Sequence, residues 1–248
     1  MNSDRELIKG RFITPLNVTS KVPLVIMLTG DGPKGSNSLS WVNLPPKLAE
    51  KGISTLLFDF SGLGNSKGER HQLTLTKGIS DFKLIHSELN KYAWIDFDNI
   101  GVLASSFGAS VALHCFDIMN PFKVIGLKSP CSFLPEAYAN EISKTQLAEW
   151  IKLKYCNANG YDLNVLFDPF DYNIYNDAKK IKTPCLITHG QDDEIVPISQ
   201  SIFLNELLQN SKLITFENCD HGYSAEGSWD RMADIFIDLF EQTLIKGR

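Results

Sequence analysis

A doubly wound α/β fold, its central sheet mostly parallel and covered by helices on both faces, is the architecture this 248-residue sequence predicts. Three observations point there. Short apolar runs at 23–29, 53–60 and 100–104 are continuous rather than alternating, the pattern of strands buried on both faces. Helix-compatible stretches, with apolar residues three and four apart, lie between such runs. Strand and helix then alternate along the chain, and right-handed crossovers place the helices on both sides of one parallel sheet. In such a sheet, ligands bind beyond the C-terminal ends of the strands. The loops after Leu28, Phe60, Ala104, Lys128, Thr188 and Phe216 are therefore expected to converge on one site.

Taken in order, residues 10–17 read as an edge strand interrupted by Pro15. The run 23–29 is the first central strand and ends in the glycine-rich Gly30-Asp31-Gly32-Pro33-Lys34-Gly35. A helix covers about 39–51, with Pro45 and Pro46 near its beginning or at a kink. The strand 53–60 runs into a second glycine-rich loop, 61–68. Leu75, Ile79, Phe82, Ile85 and Leu89 mark the apolar face of a helix over 73–92. The strand 100–104 stops abruptly at Ser105-Ser106-Phe107-Gly108, and a helix over 109–118 follows. Strands at 123–128, 183–188 and 212–216, with helices near 199–209 and 229–244, complete the pattern. One segment breaks the rhythm. Residues 129–180 hold a helix-like part at 136–155 and then an aromatic part with Tyr161, Phe167, Phe170, Tyr172 and Tyr175. An insertion this long beyond a strand end fits a lid or binding loop. The expected organisation is a core of 1–128 and 181–248 with a lid at 129–180, and Phe133, Trp150 and Phe167 are expected to fold over the site.

Composition excludes several classes. Lys and Arg number 24 against 29 Asp and Glu, a net charge of −5 with no basic cluster. Nucleic acid and anionic membranes are not expected partners of such a surface. No apolar run approaches the ~20 residues of a membrane helix, so no membrane insertion is expected. The polar start, Met1 to Glu6, has no signal-peptide core. Cys115, Cys131, Cys156, Cys185 and Cys219 are scattered, odd in number and without metal-ligand spacing, which fits reduced thiols in a cytoplasm. In that compartment the sequon at Asn17-Val18-Thr19 carries no weight. No metal and no cofactor are expected; Gly62, Gly64 and Gly68 lack both nucleotide-loop spacings.

The chemistry centres on Ser106. A strand, a one-residue corner and a helix push a serine hydroxyl out of a sheet edge, and the small Ala104 and Gly108 let the backbone turn that tightly. A serine hydroxyl needs a base, and the base an orienting acid. Two later strands end in candidates: His189-Gly190-Gln191-Asp192-Asp193 through Pro197, and Glu217-Asn218-Cys219-Asp220-His221-Gly222. The order is Ser106, Asp193, His221, with Asp192 an alternative acid.

These segments resemble the α/β-hydrolase-fold serine hydrolases, in the esterase and serine-aminopeptidase-like branch. Ala104 to Gly108 resembles the nucleophile elbow G-x-S-x-G, with alanine for the first glycine. His189 to Pro197 resembles the family's H-G-x-x-D-x-x-V-P acid loop, which places the acid at Asp193, and Asp220-His221-Gly222 resembles its histidine loop. Residues 59–68 resemble its D-x-x-G-x-G-x-S-x-G turn. The resemblance implies that His221 deprotonates Ser106 for attack on an acyl carbonyl, with Asp193 fixing the imidazole. It implies an oxyanion hole from the backbone N–H groups of Phe107 and Asp31. Thr29-Gly30-Asp31 stands where the family often has H-G-x, so the Asp31 carboxylate either points away or meets a cationic substrate. A small-molecule acyl substrate follows. Among activities, a carboxylesterase of the feruloyl-esterase or acylglycerol-lipase kind leads, with a thioesterase, a small-amide peptidase, an acyltransferase or a catalytically silent binder as alternatives. Ser105 is expected as a buried strand-end residue, His189 as a structural loop residue and Cys219 as a core thiol. His71, His86 and His114 are expected on the surface or between helices.

Overall fold

The computed structural model of the chain describes residues 7–16, 18 and 20–247. Its centre is β2 (Val22–Leu28), every residue of which is buried. Alternation along that strand builds two cores. Leu24, Ile26 and Leu28 face one layer and Val25 and Met27 the other, as the two-residue period of a strand requires. Each fully buried side chain of this kind contributes about 1.5–3 kcal/mol.

The sheet has seven strands in the order β1-β3-β2-β4-β5-β6-β7. The others are β1 (Gly10–Ile13), β3 (Ser54–Phe58), β4 (Ile95–Ser106), β5 (Val124–Pro130), β6 (Cys185–Gly190) and β7 (Ser211–Phe216). Only β1 runs antiparallel, against β3; every other pairing is parallel. The expected edge strand is therefore present but ends at Ile13, before Pro15. The sequon at Asn17 and Thr19 and the segment Met1 to Glu6 lie outside the described residues.

The helices are α1 (Leu39–Glu50), α2 (Leu75–Glu88), α3 (Phe107–His114), α4 (Phe116–Met119), α5 (Leu134–Asn140), α6 (Lys144–Leu153), α7 (Leu163–Phe167), α8 (Ile174–Ala178), α9 (Ile198–Leu207) and α10 (Ser228–Phe240). Trp41 and Leu48 of α1 and Phe236 and Phe240 of α10 cover the Val25 face. Phe82 of α2, Val111 of α3 and Leu204 of α9 cover the Leu24 face. Both faces are thus closed by helices, and the architecture is the expected α/β-hydrolase fold.

Several boundaries differ for local reasons. Pro45 and Pro46 lie inside α1 rather than at its start, so the carbonyls of Trp41 and Val42 lose their helical donors. The helix expected over 73–92 begins at Leu75, where the Thr74 hydroxyl accepts from the Lys77 N–H at 3.2 Å. The strand expected at 100–104 starts at Ile95, because a register shift against β2 lets Asp96 to Asn99 bulge out between two paired stretches. The helix expected at 109–118 starts two residues earlier and breaks at Cys115. Between β5 and β6, the helix-like stretch 136–155 is two helices. Ser143 opens the second with a reciprocal capping box to Gln146. The aromatic part folds as α7 and α8. Among the described residues no helix is long and apolar enough to cross a membrane.

Candidate active site

Ser106 closes β4 at φ 49° and ψ −117°, a conformation that an L-residue adopts only under constraint, at a cost of about 1–3 kcal/mol. The constraint is packing. A Cβ on Gly108 would sit 2.6 Å from the Leu28 carbonyl oxygen and closer still to that of Thr29, so the first turn of α3 presses on the end of β2. Ala104 replaces a glycine without conflict; it is fully buried and paired with Leu28 and Leu127. Phe107 is buried edge-on against Phe60, with ring centroids 5.2 Å apart, which fixes the peptide that follows Ser106. Gly30 approaches from the facing loop; a Cβ there would lie 3.4 Å from that of Ser106.

Beyond β6, the turn 193–196 is wound around Asp193. Its Oδ1 accepts from the Ile195 and Val196 N–H groups at 3.0 and 2.8 Å. Its Oδ2 accepts from His221 Nδ1 at 2.7 Å. Burial alone would raise the Asp193 carboxyl, but hydrogen bonds from His189 and His221, the His221 charge and the Val196 N–H outweigh it and hold the group far below the usual range. Asp192 is exposed, and its backbone N–H donates to the Cys219 carbonyl at 3.0 Å. Asp193 and not Asp192 therefore meets the imidazole.

His189 does more than the loop role expected of it. It is fully buried in β6, with Nε2 lying 2.9 Å from the Val196 carbonyl and 3.1 Å from Asp193 Oδ2. Both neighbours only accept, so Nε2 carries the hydrogen and Nδ1 accepts from the Ser201 hydroxyl at 2.6 Å. The motif showed the residue; its contact with the acid is a product of the turn. His114 packs between helices as expected, 2.9 Å from Asp177. Cys219 is a buried thiol pushed up by burial.

The Asp31 carboxylate turns to the segment between β5 and β6. It accepts from the Tyr161 hydroxyl at 2.7 Å. Arg70 braces both partners: Nε donates to the Asp31 carbonyl at 3.0 Å, and other guanidinium N–H groups donate to the Tyr161 oxygen and the Asn159 carbonyl at 2.7 and 2.8 Å. The guanidinium also lies 4.3 Å over the Tyr161 ring. Thr29, in the family's histidine position, donates its hydroxyl to the Gly30 carbonyl at 2.9 Å.

Ser106, His221, Gly30 and Asp31 line one cavity of about 430 Å³ together with Lys128 and Glu141. Glu141 supplies the contribution of the 131–184 region to this cavity. Its carboxyl is pushed up to about 7 by burial and by the Asp31 charge, against a smaller opposite pull from Arg70. The expected aromatic cover is not there. Trp150 is fully buried under Tyr138, with centroids 6.4 Å apart, because its ring is needed in the interior of this small helical layer. Phe133 and Phe167 gather around an exposed Phe170 instead. Among the described residues no three His, Cys, Asp or Glu side chains are grouped as a metal set. Arg70, Tyr161, Lys128 and Glu141 carried no motif; the visible signal was Lys128 itself, a charge closing an apolar strand.

Known proteins share this fold. The chain is 23% identical over 193 residues to the acylamino-acid-releasing enzyme of Mus musculus, covering 74% of this chain and 26% of that one. It thus spans about a quarter of the length of the first curated relatives it matches. A proline iminopeptidase of Thermoplasma volcanium is 22% identical over 227 residues, with 70% and 75% covered. The structure of Est1E from Butyrivibrio proteoclasticus with ferulic acid bound superposes with a TM-score of 0.80 at 20% identity, over 99% of this chain and 97% of that one. The model of the prolyl oligopeptidase family matches residues 46–244, which hold β3 to β7 and, of the cavity lining, Ser106, Lys128, Glu141 and His221, and the chain belongs to that family.

Proposed function

We propose that the chain is a serine hydrolase that cleaves a small ester, thioester or amide through an acyl-enzyme on Ser106, with carboxylesterase activity the leading reading. The observation that carries it is the constrained corner at Ser106, which shares a cavity with a His221 locked to an ionised Asp193. His221 Nε2 takes the Ser106 proton as Oγ attacks the acyl carbon. The imidazolium then gives that proton to the leaving group. Water repeats the cycle and regenerates Ser106. The Asp193 carboxylate, acceptor-only and saturated by N–H groups, keeps the hydrogen of His221 on Nδ1 and stabilises the imidazolium. The Phe107 and Asp31 N–H groups are the proposed oxyanion donors. With the Asp31 carboxylate tied to Tyr161, its charge is not aimed at the developing oxyanion. Each proton in this cycle moves between Ser106, His221, substrate and water, so the chemistry needs neither metal nor cofactor.

The peptidase names among the relatives favour amide cleavage as a second reading. In either reading residues 129–180 act as the lid, through Glu141 at the cavity and Tyr161 behind Asp31. Turnover of p-nitrophenyl acetate and labelling by a fluorophosphonate test the proposal. Ser106→Ala is expected to abolish both while leaving the far-UV circular dichroism unchanged. Unaltered turnover in that variant removes the assignment, and a wild-type chain that takes no label is a binder on the same fold. Panels of esters, thioesters and amides then rank the activities.

A further inference from the structure

Lys128 is a charged residue where the fold offers a charge little comfort. It sits in β5 among buried neighbours, 8% exposed. Its strand partners are Ser105 on one side and Thr188 on the other. Its ammonium donates to the His221 carbonyl at 3.1 Å and lies 4.7 Å over the Tyr223 ring, whose hydroxyl donates to Thr188 at 2.9 Å. Burying an ammonium is costly unless its partners return the energy, so a lysine at this place calls for a physical reason.

The segment it grips supplies one. The loop after β7 leaves the sheet before it reaches His221, and it bends through left-handed Asn218 and Tyr223, at φ 52° and 60°. His221 is tied to the acid by its ring. The Lys128 bond ties its main chain to β5, the strand hydrogen-bonded to the end of β4 that carries Ser106. A single side chain thereby links the histidine loop to the strand that neighbours the one carrying Ser106.

We propose that Lys128 is a positioning residue, whose ammonium holds the His221 main chain at the distance the Ser106 reaction needs and whose loss of charge slows that reaction at alkaline pH. This rests on the triad reading above. Burial lowers the Lys128 amine to about 8, against the opposite pulls of Asp193, Cys219 and Asp220. The groups facing it can be named by element. The acid loop presents Asp193, and the histidine loop presents Cys219, Asp220, His221 and Tyr223. Cys219 and Tyr223 are raised and Asp220 is lowered, so none of those three moves into the same range. From α1 come Ser40 and Trp41 and from α10 Trp229 and Met232, none of which titrates there.

The sign of the linkage separates this role from plain stability. With its folded value depressed to about 8 from 10.5, the lysine binds fewer protons folded than unfolded between those values. Stability therefore rises with pH through that window, while the charge-assisted grip on His221 is lost. Activity and stability move in opposite directions, which alkaline unfolding would not produce.

The test is the second-order rate of fluorophosphonate labelling across neutral to alkaline pH, for the wild type, Lys128→Met and Lys128→Arg, with thermal melts at each pH. The wild type is expected to decline with a midpoint near 8 while its melting temperature holds or rises. Lys128→Met is expected to label about tenfold more slowly at neutral pH and to lack that decline. Lys128→Arg, which stays charged, is expected within about threefold of the wild type with the decline shifted upward. A wild-type rate in Lys128→Met, or a decline that stays near 8 in either variant, overturns the proposal. If Lys128→Met does not fold, the Lys128→Arg profile decides by the same criterion. A wild-type chain that takes no label overturns the triad reading and this proposal with it, whereas equal labelling in all three removes Lys128 alone.

Discussion

The two loops that face each other across Ser106 are held by different means. On the acid side, Asp193 is gripped by N–H groups two and three residues along, and by a histidine from the loop after the next strand. On the other side, Asp31 is held by Arg70 and by Tyr161, which lie 39 and 130 residues away. The first arrangement is a turn that its own sequence winds. The second exists only when three distant segments have packed. The difference separates a loop fixed locally from one fixed at a distance: local hydrogen bonds make the acid rigid on its own, while the Asp31 loop takes its position from the region that also lines the cavity through Glu141.

Breaking the local side should have the largest effect. Asp193→Asn keeps an oxygen to accept from Ile195 and Val196, so the turn survives. The amide then offers His221 a neutral partner that no longer stabilises the imidazolium or enforces its tautomer. A loss in kcat of about 10³–10⁴-fold is expected, with KM little changed, measured on the preferred ester. An effect under tenfold would mean that His221 is oriented by something other than Asp193.

The same contrast explains what the chain discloses before it is folded. The sheet is legible because 23–29, 53–60 and 100–104 are unbroken apolar runs, and burial on both faces leaves them little alternative. Ser106, Asp193 and His221 are legible because each sits in a short motif at a strand end. The helices α7 and α8 are five residues each, too short for a helical period to register. The misplaced cover of Phe133, Trp150 and Phe167 has the same root, since an aromatic side chain suits a small core and a pocket equally. Arg70, Tyr161 and Glu141 escape notice because their roles depend on partners far along the chain, and no spacing encodes such a meeting.

Breaking the distant side should cost less. Arg70→Ala removes donors to the Asp31 carbonyl, the Asn159 carbonyl and the Tyr161 hydroxyl together. The Asp31 N–H then loses its fixed direction, and the Asp31 carboxylate loses the brace behind its phenol. A fall in kcat of about tenfold is expected, since one oxyanion donor is loosened rather than deleted. A loss equal to that of Asp193→Asn would erase the distinction between the two loops, and no loss at all would show that Asp31 N–H has no part in the hole.

The smallest effect belongs to Glu141, where the distant side touches the cavity. Its carboxyl, near 4.5 ordinarily, is raised to about 7, so it is neutral below that pH and charged above it. A cationic acyl group should therefore bind better as pH rises through about 7, and a neutral one should not respond. Any pH effect common to both substrates cancels in a ratio, so the informative quantity is the ratio of kcat/KM for a cationic ester to that for its neutral isostere. That ratio is expected to rise about two- to threefold across neutrality in the wild type and to stay flat in Glu141→Gln, because a charge near solvent is well screened. The folded chain also binds more protons than the unfolded one between 4.5 and about 7, so stability falls as pH rises through that window, and Glu141→Gln should lose that slope in thermal melts. A ratio that still climbs in Glu141→Gln, with the stability slope gone, would show that Glu141 titrates as described but takes no part in charge selection.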